Sequence, residues 1–519
     1  MQLLRIPSIA AAAALALMLS HAAASAPSGG AASGPPARDL TAEEAARAIG
    51  HIYEGKTQAA LAVLDSVSAE CGGEPFYLFV LARVRSELLP MDDHDKDRFR
   101  LESEPVHRDL ERVIAICTER METGDSDPKL RLYRGLAWMS KAQLGSFARN
   151  FWRAARDAKK GKSDLEAYLL THPDDALARG TLGIVLYFAD NIPGLFKIVG
   201  RLLFLPAGDR EAGLRYLEEA SSSEGLLRRD FEVILNTVEF LFEGRHEDGI
   251  AGTLALRERS PGYIRLAVPI ALFQPFDPFG AARDAAAVDS ALARRQETGD
   301  DNDEGTRSLL SFLRAWAGRF SAPPDTTIAR LESIVAARPA RPDWITGYAN
   351  FELGRVLASQ DRFDAARERF EAVLAEETAA YLRGEAEEML EALSSRGSNT
   401  DGKGAGALFH LGEARLLSHD GDGAVSAYEA AVELDAPPWD EEFQMFASSR
   451  IAEILGARGE YREAASWTAK ARAFYHAEFL VDWVFEGRKR FFERLADGEE
   501  TPPPALFLPR ADRAGPANE

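Results

Sequence analysis

The sequence predicts an all-α protein built as an array of helical hairpins, and three observations support this. Alanine is abundant, while runs of β-branched residues are few. Apolar residues recur at the three- and four-residue spacing of amphipathic helices over much of the chain. Three segments in the C-terminal half share one pattern of small and apolar residues, which indicates an internal repeat. We expect the array to form two lobes.

Length and composition are those of a folded protein. The chain has 519 residues, of which 46% are hydrophobic and 28% are charged, a balance typical of globular domains. With 61 Lys and Arg against 82 Asp and Glu, the formal net charge is −21. Such a negative field repels phosphate backbones, and no basic stripe is evident that reverses it locally. We therefore expect no nucleic acid among the partners.

The N-terminal residues predict export. Arg5 precedes the apolar run "IPSIAAAAALALMLS", and Ala22–Ala24 supply the small-x-small pattern that signal peptidase requires. We expect cleavage after Ala24, because cleavage two residues later would place a proline next to the scissile bond. No cysteine lies near this site in the sequence, so a lipoprotein anchor is not expected. The alternative is an uncleaved anchor helix, which the short apolar run disfavours. The mature protein is predicted to be periplasmic or extracellular.

Changes in composition divide the chain. The prolines of "PFDPFG" interrupt the helical pattern, and the polar run "ETGDDNDEGT" follows. A final amphipathic segment, "VDWVFEGRKRFFERLADG", is predicted to cap the array. The predicted organisation is a signal peptide at 1–24, a flexible leader at 25–38, an N-terminal helical lobe with a degenerate repeat at 39–275, a hinge region with one helix at 276–306, a C-terminal repeat lobe with its capping helix at 307–497, and a disordered tail at 498–519.

The chain has two cysteines, Cys71 and Cys117. In an oxidising compartment they could form a disulfide, but two cysteines at an unknown distance do not predict one. The alternative is that both are small buried apolar side chains.

Three copies of one pattern define the repeat. Each copy places a small residue in a first helix and further small or aromatic residues at fixed offsets in a second helix. The repeat-defining residues are Leu353, Gly354, Ala366 and Phe370 in the first copy, Leu411, Gly412, Ala424, Tyr428 and Ala431 in the second, and Ala452, Ala464 and Ala471 in the third.

These offsets resemble those of the tetratricopeptide repeat (TPR), a helix–turn–helix unit of 34 residues. The resemblance implies that Gly354 and Gly412 lie where two helices cross closely, and that Phe370 and Tyr428 fill the space between helices. The chain departs from the pattern at Thr468, which replaces that aromatic residue, and an extra helix and loop separate the first two copies. The three copies and the predicted signal peptide together resemble exported, bacterial-type members of the TPR superfamily; upstream of residue 350 the pattern is looser.

The resemblance also implies where a partner binds, because the first helices of stacked TPR units line a concave groove. We expect a non-catalytic scaffold that binds a protein or peptide there. The predicted groove residues are Tyr348, Phe351, Arg355, Phe409, Glu413, Phe446, Ser449 and Glu453. The alternative is that the aromatic residues of this set only pack between helices, since both roles share one helical spacing.

An apolar stretch near the middle of the chain offers another interpretation. The segment 192–205 contains only Lys197 and Arg201 as charged residues, and it is too short to span a bilayer as a helix. Residues 182–220 distantly resemble a eukaryotic TPR family of mitochondrial outer-membrane and inclusion-clearance proteins, which carry an apolar helix before a turn like "GDREAGL". We expect this helix to be buried in the first lobe. The alternative is contact with a membrane surface or a partner.

Motifs for catalysis, cofactors and metals are not convincing. "GSNTDGKG" ends in glycine where a phosphate-binding loop needs Ser or Thr, and it follows a helix instead of a strand. The nine histidines are scattered without the spacing of a zinc site. We therefore expect no enzymatic activity, no cofactor and no metal ion, although an enzyme without a recognisable motif stays an alternative.

Overall fold

In the computed structural model, every regular element among the described residues is helical. The structure describes residues 38–89, 96–148, 150–190, 208–263, 266–277, 279–280, 285–290, 293, 304–395, 404–474 and 479–503. The predicted signal peptide with Ala24, the leader up to residue 37, the apolar segment 192–205, most of the hinge region and the tail beyond 503 lie outside them. No helix of the described part has the length and apolar character needed to cross a membrane.

The chain forms two compact units. The first contains the described residues within Met1–Asn236, Gly252–Leu266 and Ala293–Asp303. Its helices follow one another as antiparallel hairpins. They are α1 (Ala42–Tyr53), α2 (Thr57–Cys71), α3 (Pro75–Ser86), α4 (Lys96–Glu102), α5 (Glu104–Glu122), α6 (Lys129–Phe147), α7 (Phe151–Leu169), α8 (Ala176–Asp190) and α9 (Arg210–Ser222), with parts of α10 (Arg228–Val238) and α11 (His246–Arg259).

Local sequence explains how the first hairpin begins and turns. Thr41 accepts a hydrogen bond from the Glu44 amide at its hydroxyl, and the Glu44 carboxylate accepts one from the Thr41 amide, which is a capping box. The turn into α2 uses Gly55 at φ 76°. A Cβ there would also lie 2.5 Å from the carbonyl oxygen of Gly262, so both conformation and space require glycine.

A buried polar cluster joins this first hairpin to the end of the unit. The Asp230 carboxylate accepts hydrogen bonds from the Tyr53 hydroxyl at 2.7 Å, the Tyr263 hydroxyl at 3.2 Å and the Arg83 guanidinium at 2.6 Å. Burial raises the pKa of Tyr53 well above its ordinary value, and the neighbouring Asp230 adds to the effect. Because each buried polar group has a partner, the cluster holds α1, α3 and α10 together.

The second unit contains the described residues within Thr237–Ala251, Ala267–Leu292 and Glu304–Glu519. It begins with a π-helical turn (Glu239–Glu243) and the short helix α12 (Ala267–Phe273), which continues as a 3-10 turn (Gln274–Phe276). The array follows as α13 (Glu304–Gly318), α14 (Pro324–Ala337), α15 (Ile345–Ser359), α16 (Phe363–Ala375), α17 (Arg383–Ser395), α18 (Ala405–Leu417), α19 (Gly421–Glu433), α20 (Glu441–Ala457), α21 (Tyr461–Ala473) and α22 (Phe479–Asp497).

The two units do not divide at residue 275 as the composition predicts. Residues 237–251 and 267–275 belong to the second unit. The physical reason is an aromatic cluster, in which the ring of Phe240 lies 4.1 Å from that of Phe273, and the ring of Phe276 lies 5.3 Å from that of Phe446. The first proline of "PFDPFG", Pro275, therefore lies within a buried segment of the second unit.

The hairpins of the second unit confirm the predicted all-α, TPR-like fold. A Cβ on Gly354 would lie 2.6 Å from the ring of Phe370, and one on Gly412 would lie 2.3 Å from the ring of Tyr428. Both glycines therefore lie where the two helices of a hairpin touch. The alanines at 366, 424, 431, 452, 464 and 471 and the side chain of Leu353 are buried, and Leu411 is half-buried.

The third copy differs at Thr468, which is buried and donates its hydroxyl hydrogen to the carbonyl oxygen of Ala464 at 2.9 Å. The first helix of this copy also contacts the last helix of the chain, one turn after Ala452. A Cβ on Gly456 would lie 2.4 Å from the ring of Phe492 in α22. The last helix therefore packs on the third hairpin.

Candidate partner-binding surfaces

The residues predicted to line a groove lie on α15, α18 and α20, the first helices of their hairpins. Seven of the eight are buried and Tyr348 is half-buried. The ring of Tyr348 lies 5.1 Å from that of Trp344. The buried residues are Phe351, Arg355, Phe409, Glu413, Phe446, Ser449 and Glu453. These positions therefore do not line an open groove. Their burial favours the alternative that the side chains pack between helices.

The charged members of this set take part in buried ion clusters. Arg355 donates to the Glu442 carboxylate at 2.7 Å, and Arg319 donates to the other oxygen of Glu442 at 2.6 Å and to Glu352. Burial alone would raise the pKa of Glu442, but the guanidinium groups of Arg355 and Arg319 lower it below its ordinary value. The Glu442 carboxylate is thus an ion that links α15 to α20.

A second cluster centres on Glu413. Its carboxylate accepts hydrogen bonds from Arg450 at 2.8 Å and from the Tyr428 hydroxyl at 2.7 Å. Burial and the nearby carboxylate raise the pKa of Tyr428, so its hydroxyl stays protonated and keeps donating. Arg450 also donates to the carbonyl oxygen of Pro275 at 2.8 Å. The cluster therefore ties α18 and α20 to the main chain of an earlier segment.

A third cluster centres on Arg488 in α22. Arg488 donates to the Glu453 carboxylate at 2.9 Å, to Glu247 at 2.6 Å and to the carbonyl oxygen of Gly244 at 2.6 Å. Burial raises the pKa of Glu453, while Arg488 opposes the rise. Burial, and then Arg488, hold the pKa of His246 well below its ordinary value, so this imidazole is neutral near neutral pH.

One segment of the chain packs against α20 and α22 of this unit. We call residues 267–277 the inner segment; it consists of α12, the 3-10 turn and Asp277. Its Phe276 ring lies 5.3 Å from Phe446 in α20 and 6.0 Å from Phe485 in α22, and its Gln274 side chain donates to the Ser321 hydroxyl at 2.9 Å. The inner segment thus covers Phe446, one of the residues predicted to face a ligand. The apolar run "AVPIALFQPF" is the sequence signal that would have indicated this burial.

The first unit exposes a basic surface that the sequence analysis missed. We call it the tryptophan face; it lies on the N-terminal half of α7. Trp152 is 62% exposed. The basic side chains beside it are Arg153, Arg156, Lys159 and Lys160, all exposed. Residues 149–162 contain six Lys and Arg but one acidic residue, Asp157, which is buried. The expectation that no basic stripe offsets the negative net charge is therefore wrong for this helix.

Side chains of α5 and α6 contact these basic residues. The Lys160 ammonium lies 4.0 Å from the centroid of the Trp138 ring in α6, and that of Lys141 lies 5.3 Å from it. The acidic side chain of Glu111 pairs with Lys141 at 2.8 Å and approaches Arg153 to 3.6 Å. A hydrogen bond from Lys141 lowers the pKa of Glu111. Arg153 also approaches the buried Asp157 carboxylate to 3.9 Å, so two acids offset part of the positive charge here.

A second exposed apolar side chain lies toward the same end of the α6–α7 hairpin. Leu101 in α4 is 74% exposed. Its helix is positioned by Phe99, whose ring lies 5.5 Å from that of Phe147. Phe147 ends α6, and α7 begins four residues later at Phe151, immediately before Trp152. Leu101 is thus exposed on a helix that approaches the end of α6, close in sequence to the start of α7.

The two cysteines are both buried and unpaired. Burial raises the pKa of the Cys117 thiol to about 12, although Arg134 opposes the shift. The sequence left open whether these cysteines form a disulfide or are buried apolar side chains. In the structure they are buried thiols.

Comparisons with known proteins give no family. The sequence matches no protein-family model and no curated protein. Among solved structures, the chain is similar to a human IFIT1 dimer with PPP-AAAA, with a TM-score of 0.31 and 12% identity over 77% of this chain and 96% of that one. It is also similar to a monomeric IFIT1 mutant with Gppp-AAAA, with a TM-score of 0.23 and 14% identity over 87% and 88% of the two chains. The assignment of an all-α fold of TPR-like hairpins rests on the helices of this chain itself.

Proposed function

We propose that this protein is a non-catalytic scaffold that binds a protein or peptide partner on the first-helix side of its second unit. The observation that supports this is the use of main-chain carbonyls. Arg450 donates to the carbonyl oxygen of Pro275, and Arg488 donates to that of Gly244. Every polypeptide offers such carbonyls, so the same arginines can hold another chain. The inner segment supplies the Pro275 carbonyl to Arg450, and it is then an internal ligand that a partner replaces.

A partner that displaces the inner segment must offset the free energy that the segment gains from its buried side chains. Ile270, Phe273 and Phe276 of the inner segment are each at most 4% exposed. Burying three such side chains is worth roughly 5–9 kcal/mol at about 1.5–3 kcal/mol each. A partner must therefore supply comparable apolar contacts as well as carbonyl oxygens. This favours a peptide with aromatic side chains over a purely polar one.

The test uses a fluorescent peptide of the inner segment, "AVPIALFQPFD", and the mature chain. We expect the unmodified protein to bind this peptide weakly, because its own segment competes. The double variant Phe273→Ala and Phe276→Ala weakens that competitor, so fluorescence anisotropy should show affinity higher by about tenfold or more, which corresponds to 1.4 kcal/mol. Adding Arg450→Met should reduce the affinity again.

Two controls make this experiment decisive. Leu417→Ala, an exposed leucine of the same unit, should bind the peptide as the unmodified protein does. A scrambled peptide should bind no variant. If the double variant keeps its helical circular dichroism spectrum and still binds the peptide no better than the parent, the first-helix side is a structural core and the proposal is wrong.

The proposal includes export and a polypeptide partner instead of nucleic acid. Export is supported by the apolar N-terminal run and the small residues up to Ala24. N-terminal sequencing of protein from the exported fraction should begin at Ser25, and an intact Met1 would contradict it. The net charge of −21 supports a polypeptide partner, because it disfavours phosphate backbones.

A further inference from the structure

We infer that the tryptophan face of the first unit binds an anionic phospholipid surface. This inference goes beyond the proposed function, because it concerns another unit and another chemical class of partner. It rests on an exposed tryptophan, four exposed basic side chains around it, and an exposed leucine toward the same end of the α6–α7 hairpin.

The spacing of residues along α7 places an indole ring and basic side chains on the tryptophan face. Trp152, Arg156 and Lys159 lie at positions i, i+4 and i+7, so they share one side of the helix. Arg153 and Lys160, seven residues apart, lie together along the edge toward α6, where Lys160 contacts the ring of Trp138. Indole rings locate at the boundary between lipid headgroups and acyl chains. Lys and Arg beside them attract anionic headgroups.

The apolar members distinguish a bilayer from other anionic partners. Leu101 is 74% exposed and Trp152 is 62% exposed, and each protrudes from its own helix. A bilayer accepts protruding apolar side chains without a matching pocket. A nucleic acid could stack on the indole, but it offers nothing to an aliphatic leucine. An acidic protein would need a complementary surface around both residues. We therefore assign the face to lipid.

The test is flotation of the full mature chain with vesicles of phosphatidylcholine, with and without phosphatidylglycerol. We expect binding to the vesicles that contain phosphatidylglycerol, little binding to neutral ones, and weaker binding as salt is raised, because screening acts on exposed charges. Trp152→Ala should reduce binding by about tenfold, and so should the double variant Arg156→Glu and Lys159→Glu. The emission of Trp152 is the difference between the fluorescence of the parent and that of Trp152→Phe. This emission should shift to shorter wavelength when vesicles are added.

Matched variants in the second unit control for general effects. Leu417→Ala removes another exposed leucine, and Arg462→Glu reverses a charge that is 83% exposed. Both should float as the parent does, and all variants should keep the parent's circular dichroism spectrum.

Three outcomes would overturn the inference. The parent could fail to float with anionic vesicles, or the Trp152 and Arg156/Lys159 variants could float as well as the parent. The parent could also bind polyglutamate or a single-stranded oligonucleotide, but not vesicles, in a manner that these variants abolish. That last result would assign the face to an acidic protein or to nucleic acid. None of these outcomes affects the peptide experiment on the second unit, so the two proposals fail separately.

Discussion

Replacing Gly412 by alanine tests the packing of the second unit most sharply. The added Cβ would lie 2.3 Å from the Cε1 atom and 2.5 Å from the Cδ1 atom of Tyr428. The Tyr428 ring is fully buried, and its hydroxyl donates to Glu413, which also accepts from Arg450. The ring cannot move away without disturbing these hydrogen bonds.

Two contributions determine how much Gly412→Ala lowers the free energy of unfolding. Overpacking a buried contact by one methyl group costs about 1–3 kcal/mol. If the hydroxyl is pulled from the Glu413 carboxylate, a hydrogen bond to a charged group is lost, which is worth about 1.5–3 kcal/mol. With both contributions, we expect the free energy of unfolding to fall by roughly 2.5–6 kcal/mol. For a unit of this size the melting temperature drops by about 2–4 °C for each kcal/mol.

Thermal and urea unfolding, followed by circular dichroism, measure the change. Gly384→Ala is the matched control, because that helical glycine of the same unit has no atom within 4 Å of an added Cβ. It should leave stability unchanged or raise it by up to about 1 kcal/mol. Tyr428→Phe should reproduce the hydrogen-bond contribution alone. Equal melting shifts for Gly412→Ala and Gly384→Ala would refute the helix contact described here.

Three other predictions follow from buried groups. Burial, with Lys141 and Arg153, lowers the pKa of His107 to about 4, so the unfolded chain binds a proton below about pH 6.5 that the folded chain excludes until about pH 4. The free energy of unfolding should therefore fall as the pH is lowered from about 6.5 to about 4. In urea titrations, His107→Gln should reduce the slope of this free energy against pH by up to about 1.4 kcal/mol per pH unit; an unchanged slope would contradict the pKa shift. Because Cys71 and Cys117 are buried and unpaired, a thiol reagent should label neither in the native protein and both in urea, whereas no labelling in urea would indicate a disulfide. Arg488→Met leaves the Glu453 carboxylate buried without its cation, which should cost about 3–5 kcal/mol in the same titrations, and a loss below 1 kcal/mol would mean that water reaches the cluster.

The helical hairpins of the second unit could be predicted from sequence because their signals are local. Gly354 and Phe370 are sixteen residues apart, and Gly412 and Tyr428 share that spacing. One hairpin contains both members of each contact, so periodicity alone places them on facing sides. Even the extra helix between the first two copies, α17, lies in the segment where the spacing predicts it.

The covering of the first helices could not be predicted, since it depends on contacts between distant residues. Pro275 is 175 residues from Arg450, and Gly244 is 244 residues from Arg488. The spacing of apolar residues along the sequence does not indicate which distant residues pair. Phe409 and Phe446 have the helical spacing of groove residues and of core residues alike. Their burial is decided by residues of other segments, Phe320 for Phe409 and Phe276 for Phe446.

The tryptophan face was missed for a different reason. The net charge of −21 is a property of the whole chain, and averaging concealed the six basic residues at 149–162. A charge count over short windows would have found them. The exposure of Trp152 also needed the fold, because the same residue at another helical phase would be buried against α6.

Hydrogen exchange of the inner segment tests the central claim most directly, which is that residues 267–277 occupy the first-helix side of the second unit. Mass spectrometry of the native mature chain should find the amides of α12 protected as strongly as those of α20, because Ile270, Phe273 and Phe276 are buried. Phe276→Ala should lower the protection of α12 while leaving that of α20 intact. Exchange of the inner segment at the rate of an unstructured peptide, with α15 and α20 still protected, would contradict the account.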